Sequence, residues 1–188
     1  MDAHSHIGLD GYGEPGVDIN ERNDICCPQL RAIDGVNPMD ESFVYARSAG
    51  ITCVCTGPGS ANVLGGTFTA IKTAGTRIDD MIVKKEAAMK CAFGENPKRC
   101  YASKCDSSRM TTAAILREAL MKARLYLQKK EAAGDDVFRQ PAFDMKLEAL
   151  IPVLRGQIPL KAHAHRADDI FTAIRIADEF GVRLTLEH

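Results

Sequence analysis

"IPLKAHAHRADDIFTAIRIADEFGVRLTLEH", residues 158–188, predicts a strand, a helix and a second strand in succession. The helix, over 167–181, carries acidic residues in its first turn and a glycine at its end. Its apolar stripe follows the helical period, at Ile170, Ile174 and Ala177. The strand after it, 182–188, alternates apolar and polar residues and ends in His188. Two strands joined by a helix predict a parallel β/α unit and therefore an α/β fold.

The rest of the chain continues this alternation of helices and strands. A β-branched and cysteine-rich run, "ITCVCT" at 51–56, predicts a strand buried on both faces. Residues 9–39 are rich in Gly, Pro, Asp and Asn and predict a long loop, and "GPGSANVLGG" at 57–66 predicts a flexible rim loop. The remaining predicted elements are helices over 39–49, 111–133 and 143–154, a candidate strand pair at 67–75 and 79–85, and a strand within 89–99 that ends in a Gly-Glu-Asn-Pro turn.

Composition limits the possible classes of function. The chain has 188 residues, a formal net charge of −1 and 45% hydrophobic residues, which suits one domain with one sizeable core. Near-neutral charge gives no electrostatic reason to expect a nucleic acid or a membrane surface as partner. No apolar run reaches the length of a membrane-spanning helix, and we see no secretory signal.

Seven cysteines, an odd number, predict reduced thiols and a cytoplasmic protein. Cys100 and Cys105 bracket a loop, but no second pair at zinc-finger spacing accompanies them.

The opening residues "MDAHSHIG" (1–8) raise the first functional hypothesis. In an extended segment Asp2, His4 and His6 project from one face, so the two imidazoles can chelate one metal ion without bending the backbone. A merely polar terminus, or the remnant of an expression tag, explains the pair equally well.

The other histidines decide between these readings. All five histidines of the protein lie at the carboxyl ends of predicted strands, where catalytic groups gather in a barrel of parallel strands. A lone histidine is more often a hydrogen-bonded structural residue. A set at several strand ends, with the carboxylate of Glu95, instead matches the ligands preferred by zinc and similar divalent ions.

Four motifs in this order, "DAHSHIG", "AFGENPKR", "PLKAHAHRADDI" and "LTLEH", resemble the metal-dependent amidohydrolase superfamily, in particular its imidazolonepropionase- and prolidase-like branch. The resemblance covers almost the whole chain. It implies a (β/α) TIM-barrel catalytic domain and hydrolysis of an amide or cyclic C–N bond in a small molecule. It also implies one or two divalent ions, zinc foremost, that lower the pKa of bound water from about 15.7 towards about 7.

The resemblance assigns ligands residue by residue. His4 and His6 match the metal-binding pair of barrel strand 1, His163 matches the ligand of strand 5, and His188 matches that of strand 6. His165 is left to orient the substrate or a ligand.

The bridging ligand remains open at this stage. Glu95 ends a predicted strand and matches the members that use a glutamate, so we favour it. Lys72, Lys84 and Lys90 are the candidates if a carboxylated lysine takes this role instead.

The family's catalytic aspartate follows barrel strand 8, and no residue here matches it. Asp2, Asp168 and Asp169 do not lie where it would be. Strands 7–8 and the flanking β-sandwich of family members also have no counterpart. We therefore expect residues 1–188 to form a single partial barrel of a longer enzyme, weakly active alone and prone to form a homo-oligomer.

Two alternatives remain from the residues. One is a TatD-like metal-dependent phosphoesterase or nuclease, which uses a similar set of histidines and a glutamate. The other is a metal-binding fragment without catalytic activity.

Overall fold

The computed structural model describes residues 1–11, 17–104 and 107–187, which form a mixed α/β structure around one six-stranded sheet. The strands are β1 (Asp2–Ser5), β2 (Cys53–Thr56), β3 (Leu64–Lys72), β4 (Ile82–Ala92), β5 (Leu160–His163) and β6 (Leu184–Glu187). The helices are α1 (Glu41–Ser48), α2 (Ile78–Met81), α3 (Glu95–Cys100), α4 (Arg109–Ala133), α5 (Met145–Leu154) and α6 (Ala167–Phe180), with a short 3-10 helix at Ala32–Asp34.

The strands lie in the sheet in sequence order, from β1 to β6. β1 is parallel to β2, and β4, β5 and β6 are parallel to one another. This confirms the parallel strand–helix–strand unit predicted at 158–188. Register aligns Ala92, His163 and Glu187, so β4, β5 and β6 reach the same edge of the sheet at their carboxyl ends.

β3 departs from the predicted pattern, because it runs antiparallel to both β2 and β4. Our expectation of parallel β/α units is wrong for this strand. Residues 57–63 connect β2 to β3, and a parallel crossover needs about a dozen residues or more. The candidate pair at 67–75 and 79–85 does form, as the β3–β4 hairpin, but 78–81 is a helical turn and β4 continues through the strand predicted within 89–99.

The loop at 57–66 is also different from its prediction. Residues 64–66 belong to β3, and Ala61, Asn62 and Val63 are almost fully buried. The Asn62 amide donates to the Asp24 carbonyl at 2.8 Å, which ties this loop to the preceding long segment. Packing against that segment makes it a core element rather than a flexible rim.

The sheet is strongly curled. Five strand spacings in a flat sheet would separate β1 from β6 by about 24 Å. Instead, Nδ1 of His4 lies 3.4 Å from Oε2 of Glu187, and Nζ of Lys161 donates to the Ala3 carbonyl at 3.1 Å. Side chains of β1 therefore meet those of β5 and β6 across the inner face, as in part of a barrel.

Helices α4, α5 and α6 cover the outer face of β4, β5 and β6. Their buried side chains and those of the strands form the largest core cluster, which includes Leu116, Leu120, Leu150, Val153, Met89, Leu160, Ala173 and Ile176. The apolar stripe predicted for α6 was partly wrong: Ala177 is buried, but Ala173, Ile176 and Phe180 complete the buried face, whereas Ile170 and Ile174 are only half-buried.

The helices and the cysteines of the described residues can be compared with what the composition predicts. None of their helices combines the length and the apolarity that crossing a bilayer requires. Their six cysteines are all free thiols, and Cys105, the partner of Cys100 in a possible zinc pair, lies outside the described residues.

Candidate metal centre

The predicted site residues gather at the edge of the sheet where the parallel strands end. His4 lies in β1 and His6 follows it; His163 is the last residue of β5 and His165 comes two residues later. Glu95 begins α3, directly after β4. His188 lies outside the described residues, next to the end of β6.

His4 and His6 form a contacting pair, as the alternation of an extended strand predicts. Their ring centroids are 5.1 Å apart and the rings are nearly perpendicular. Nδ1 of His6 lies 2.7 Å from the Gly57 carbonyl oxygen. Because a carbonyl only accepts hydrogen bonds, this contact requires a proton on Nδ1, which leaves the lone pair of His6 on Nε2.

Glu95, His163 and His165 form the second cluster. Each offers one ligand atom, and these atoms all lie within 4.8 Å of one another. Nδ1 of His165 lies 3.1 Å from Oε1 of Glu95, and the rings of His163 and His165 are 4.5 Å apart between centroids. Within the described residues this is the one group of three or more potential ligands so placed, and it does not include His4 or His6.

Burial separates the members of this cluster. His163 is buried, whereas the side chains of Glu95 and His165 are about half exposed, at 50% and 48%. The pKa of Glu95 lies below its usual value, because its own backbone N–H at the start of α3 stabilises the carboxylate and His165 adds to that effect. Glu95 and His165 are thus a solvent-facing pair beside a buried imidazole.

Asn96 is a site residue that the sequence analysis missed. Its side-chain amide lies 3.0 Å from Nε2 of His163, and Arg99 donates to its carbonyl oxygen at 3.2 Å. Since a guanidinium only donates, the amide nitrogen of Asn96 faces His163. Its place directly after Glu95, at a strand end, was the signal available in the sequence.

The three lysines proposed as bridging candidates differ sharply in position. Lys72 and Lys84 are exposed, whereas Lys90 is fully buried in β4. No described residue accepts a hydrogen bond from Nζ of Lys90, which lies 5.6 Å from the centroid of the Phe68 ring. Burial lowers the pKa of Lys90 to about 8.

A second buried lysine, Lys161 of β5, pairs in register with Lys90 but has partners. Its Nζ contacts Oε1 of Glu187 and the Ala3 carbonyl, and only 6% of its side chain is exposed. The same Glu187 faces His4 through its other oxygen. The inner face therefore holds one lysine in an ion pair and, among the described residues, one lysine whose amine has no hydrogen-bond partner.

These residues suit a divalent ion. Neutral imidazole nitrogens and a carboxylate are the donor set that zinc and similar ions prefer. The orphaned amine of Lys90 is also explained if it becomes a carboxylate, since a carbamate is an anionic oxygen ligand.

Comparison with known proteins gives two relatives. No protein-family model matches the chain. An amidohydrolase, tasK of Hapsidospora irregularis, is 31% identical over 205 aligned residues, which cover 96% of this chain and 21% of that protein. A crystal structure of an amidohydrolase from Thermotoga maritima MSB8 is 46% identical with a TM-score of 0.95, over all of this chain and 50% of that one.

Both relatives are named amidohydrolases, which supports an amidohydrolase family. Neither name identifies the imidazolonepropionase- and prolidase-like branch. The chain spans about a fifth of the curated relative and half of the solved one. Its curled six-stranded sheet is consistent with an incomplete amidohydrolase barrel.

Proposed function

We propose that this chain supplies the metal-binding half of a metal-dependent amidohydrolase that cleaves an amide or cyclic C–N bond in a small molecule. The observation that carries the proposal is the position of histidines from β1 and β5 at one sheet edge, together with buried Lys90, whose amine has no hydrogen-bond acceptor among the described residues. The amidohydrolase names of both relatives favour this activity over the phosphoesterase alternative.

In this proposal His4, His6 and His163 hold the metal, together with His188, which lies outside the described residues. We assign the bridging role to Lys90 in its carboxylated form rather than to Glu95. Glu95 is half exposed and engaged with His165, whereas Lys90 is buried and its amine has no hydrogen-bond acceptor in the described chain.

Carboxylation of Lys90 needs carbon dioxide and a neutral amine. The lone pair of the neutral amine forms a bond to the carbon of CO2, one N–H proton passes to solvent, and the amine becomes a carbamate anion. The lowered pKa of Lys90 favours this step, because a far larger fraction of the amine is neutral near pH 8 than in an exposed lysine.

When bound, a divalent ion, with zinc as the first candidate, supplies Lewis acidity that lowers the pKa of water and polarises the scissile carbonyl. The chain's own residues orient the ligands. The Gly57 carbonyl fixes the tautomer of His6. The Asn96 amide nitrogen lies against Nε2 of His163, and this contact would have to break if a metal bound that nitrogen. Glu95 and His165, at the exposed side of the cluster, are placed to contact an amide-type substrate such as an acyl-amino acid, a dipeptide or an imidazolone.

Metal analysis of a double variant tests this proposal. We expect the chain purified without chelator to carry a divalent transition metal and H4A/H6A to lose it, because the chelating pair is gone. The matched control is C53A/C55A on neighbouring β2, which removes two possible soft ligands and should keep the metal.

The comparison is made by elemental analysis, with urea unfolding to show that both variants are folded. Stoichiometric metal in H4A/H6A would refute the ligand assignment. Metal loss in C53A/C55A would move the site to the thiols.

A further inference from the structure

Lys161 connects three strands at the inner face of the curled sheet. It lies in β5, donates to the Ala3 carbonyl of β1 at 3.1 Å and contacts Oε1 of Glu187 in β6. Both side chains are largely buried, at 6% and 18% exposure. A buried ion pair of this kind is a poor source of stability, because its desolvation offsets the attraction of the charges. A role in the site therefore explains this ion pair better than a contribution to stability.

The second oxygen of Glu187 faces the first histidine of the metal-binding pair. Oε2 lies 3.4 Å from Nδ1 of His4, within ion-pair range, and the His4 side chain is only 13% exposed. The two oxygens of one carboxylate thus have separate neighbours, an ammonium group on one side and an imidazole edge on the other.

We propose that Glu187, held in place by Lys161, is a positioning residue that presents Nε2 of His4 to the metal. A negative charge beside Nδ1 stabilises the tautomer whose N–H dipole points toward it, so the lone pair lies on Nε2. Carboxylates behind metal-binding histidines act in this way in many metal sites. The claim that His4 binds a metal rests on the proposed function, whereas the claim about the tautomer of His4 does not.

His4 and His6 each have an oxygen atom beside Nδ1. The Gly57 carbonyl sets the tautomer of His6 from behind, and the Glu187 carboxylate does the same for His4. Lys161 contacts the other oxygen of Glu187 and so helps to hold the carboxylate in this position. Removing Lys161 and Glu187 together should therefore leave a folded protein with a misdirected His4.

Imidazole ¹⁵N NMR of the metal-free full chain tests the tautomer. The variants are E187L and the double variant K161M/E187L, with R117M/E179L as the control, since Arg117 and Glu179 form an exposed ion pair elsewhere. We expect His4 to carry its proton on Nδ1 in the wild type and the control. Both test variants should shift toward the Nε2-protonated form. If E187L does not fold, the double variant decides.

Zinc affinity, measured by competition with a chromogenic chelator, tests the consequence. Loss of an outer partner of a metal-binding histidine weakens binding about 10–100-fold. The zinc affinity of K161M/E187L should therefore fall by that factor, whereas R117M/E179L should stay near the wild type. An unchanged His4 tautomer in both test variants overturns the inference, even if the wild type binds zinc. A wild type that binds no zinc refutes the proposed metal site, while the NMR result still decides the role of Glu187.

Discussion

At the scale of single residues, two lysines on adjacent strands show how partners determine chemistry. Lys90 and Lys161 pair in register, both are buried, and their amines lie 5.6 and 5.5 Å from the centroid of the Phe68 ring. Lys161 is held by its contact with Glu187. The Lys90 amine has no hydrogen-bond partner among the described residues, and burial lowers its pKa to about 8, so a larger fraction of it is neutral than in an exposed lysine.

The bridging assignment gives a prediction at this scale. Lys90→Ala should weaken zinc binding strongly, because it removes an anionic ligand. The effect should exceed that of losing an outer partner of a ligand, which weakens binding about 10–100-fold. Added formate or acetate should restore binding, since a small carboxylate can occupy the space left by the side chain. The measurement is zinc content after dialysis, with and without the added acid.

Glu95→Gln is the matched comparison for Lys90→Ala. It keeps the shape of the side chain and removes its charge, so it should change zinc binding little if Lys90 is the bridge. A large loss in Glu95→Gln, with normal binding in Lys90→Ala, would instead assign the bridge to Glu95.

At the scale of elements, α4 and α6 are held together by two ion pairs of different depth. Arg109 donates to both oxygens of Asp169 at 3.0 and 3.2 Å, and the aspartate side chain is 5% exposed. Arg117 and Glu179 join the same two helices, but their side chains are 36% and 38% exposed. The pairs therefore differ in solvation, while the helices they connect are the same.

We expect Arg109→Met to lower the free energy of unfolding by about 1–3 kcal/mol, because a buried carboxylate loses its hydrogen-bond donor. Arg117→Met should change it by about 1 kcal/mol or less, since solvent screens an exposed pair. Urea unfolding of both variants at one pH makes the comparison. Equal effects of the two substitutions would mean that burial does not distinguish the pairs.

At the scale of the whole molecule, curling of the sheet brings charges from distant strands into one interior. His4, Lys161 and Glu187 come from β1, β5 and β6, and Lys90 lies beside them on β4. Global stability should then depend on the ionisation of this interior. For Lys90 the direction of the pH dependence of stability follows directly, because its pKa in the folded state lies below that of an exposed lysine.

Between about pH 8 and 10.4 the unfolded chain binds a proton that folded Lys90 has released. The free energy of unfolding therefore rises with pH in this window, by up to about 1.4 kcal/mol per pH unit. Below pH 8 the folded state carries the full cost of a buried ammonium. We expect Lys90→Met to be more stable than the wild type at pH 7, with an advantage that shrinks toward pH 10.

Urea unfolding of the metal-free protein in CO2-free buffer at pH 7, 8, 9 and 10 measures this difference. The exposed Lys129→Met is the control, and its difference from the wild type should not vary with pH. A constant advantage of Lys90→Met over this range would contradict the prediction.

Local sequence determined the parallel half of the fold and the location of the site. Periodicity and terminal glycines predicted α4, α5 and α6 with ends within a few residues, because an amphipathic helix depends on neighbours in sequence. Histidines at strand ends were predictable for the same reason, since alternation and strand direction place His4, His6 and His163 at one edge. These are short-range properties of the chain.

Only the tertiary structure decided the direction of β3, the curl of the sheet and the choice among the three bridging lysines. Lys90 lies in an apolar run, 87–93, whereas Lys84 is followed by a lysine and a glutamate, but the full burial of Lys90 depends on strands and helices far along the chain. The ion pair of Lys161 and Glu187, and its contact with His4, likewise join residues from both ends of the sequence. Long-range contacts of this kind are fixed by packing, and local patterns carry no record of them.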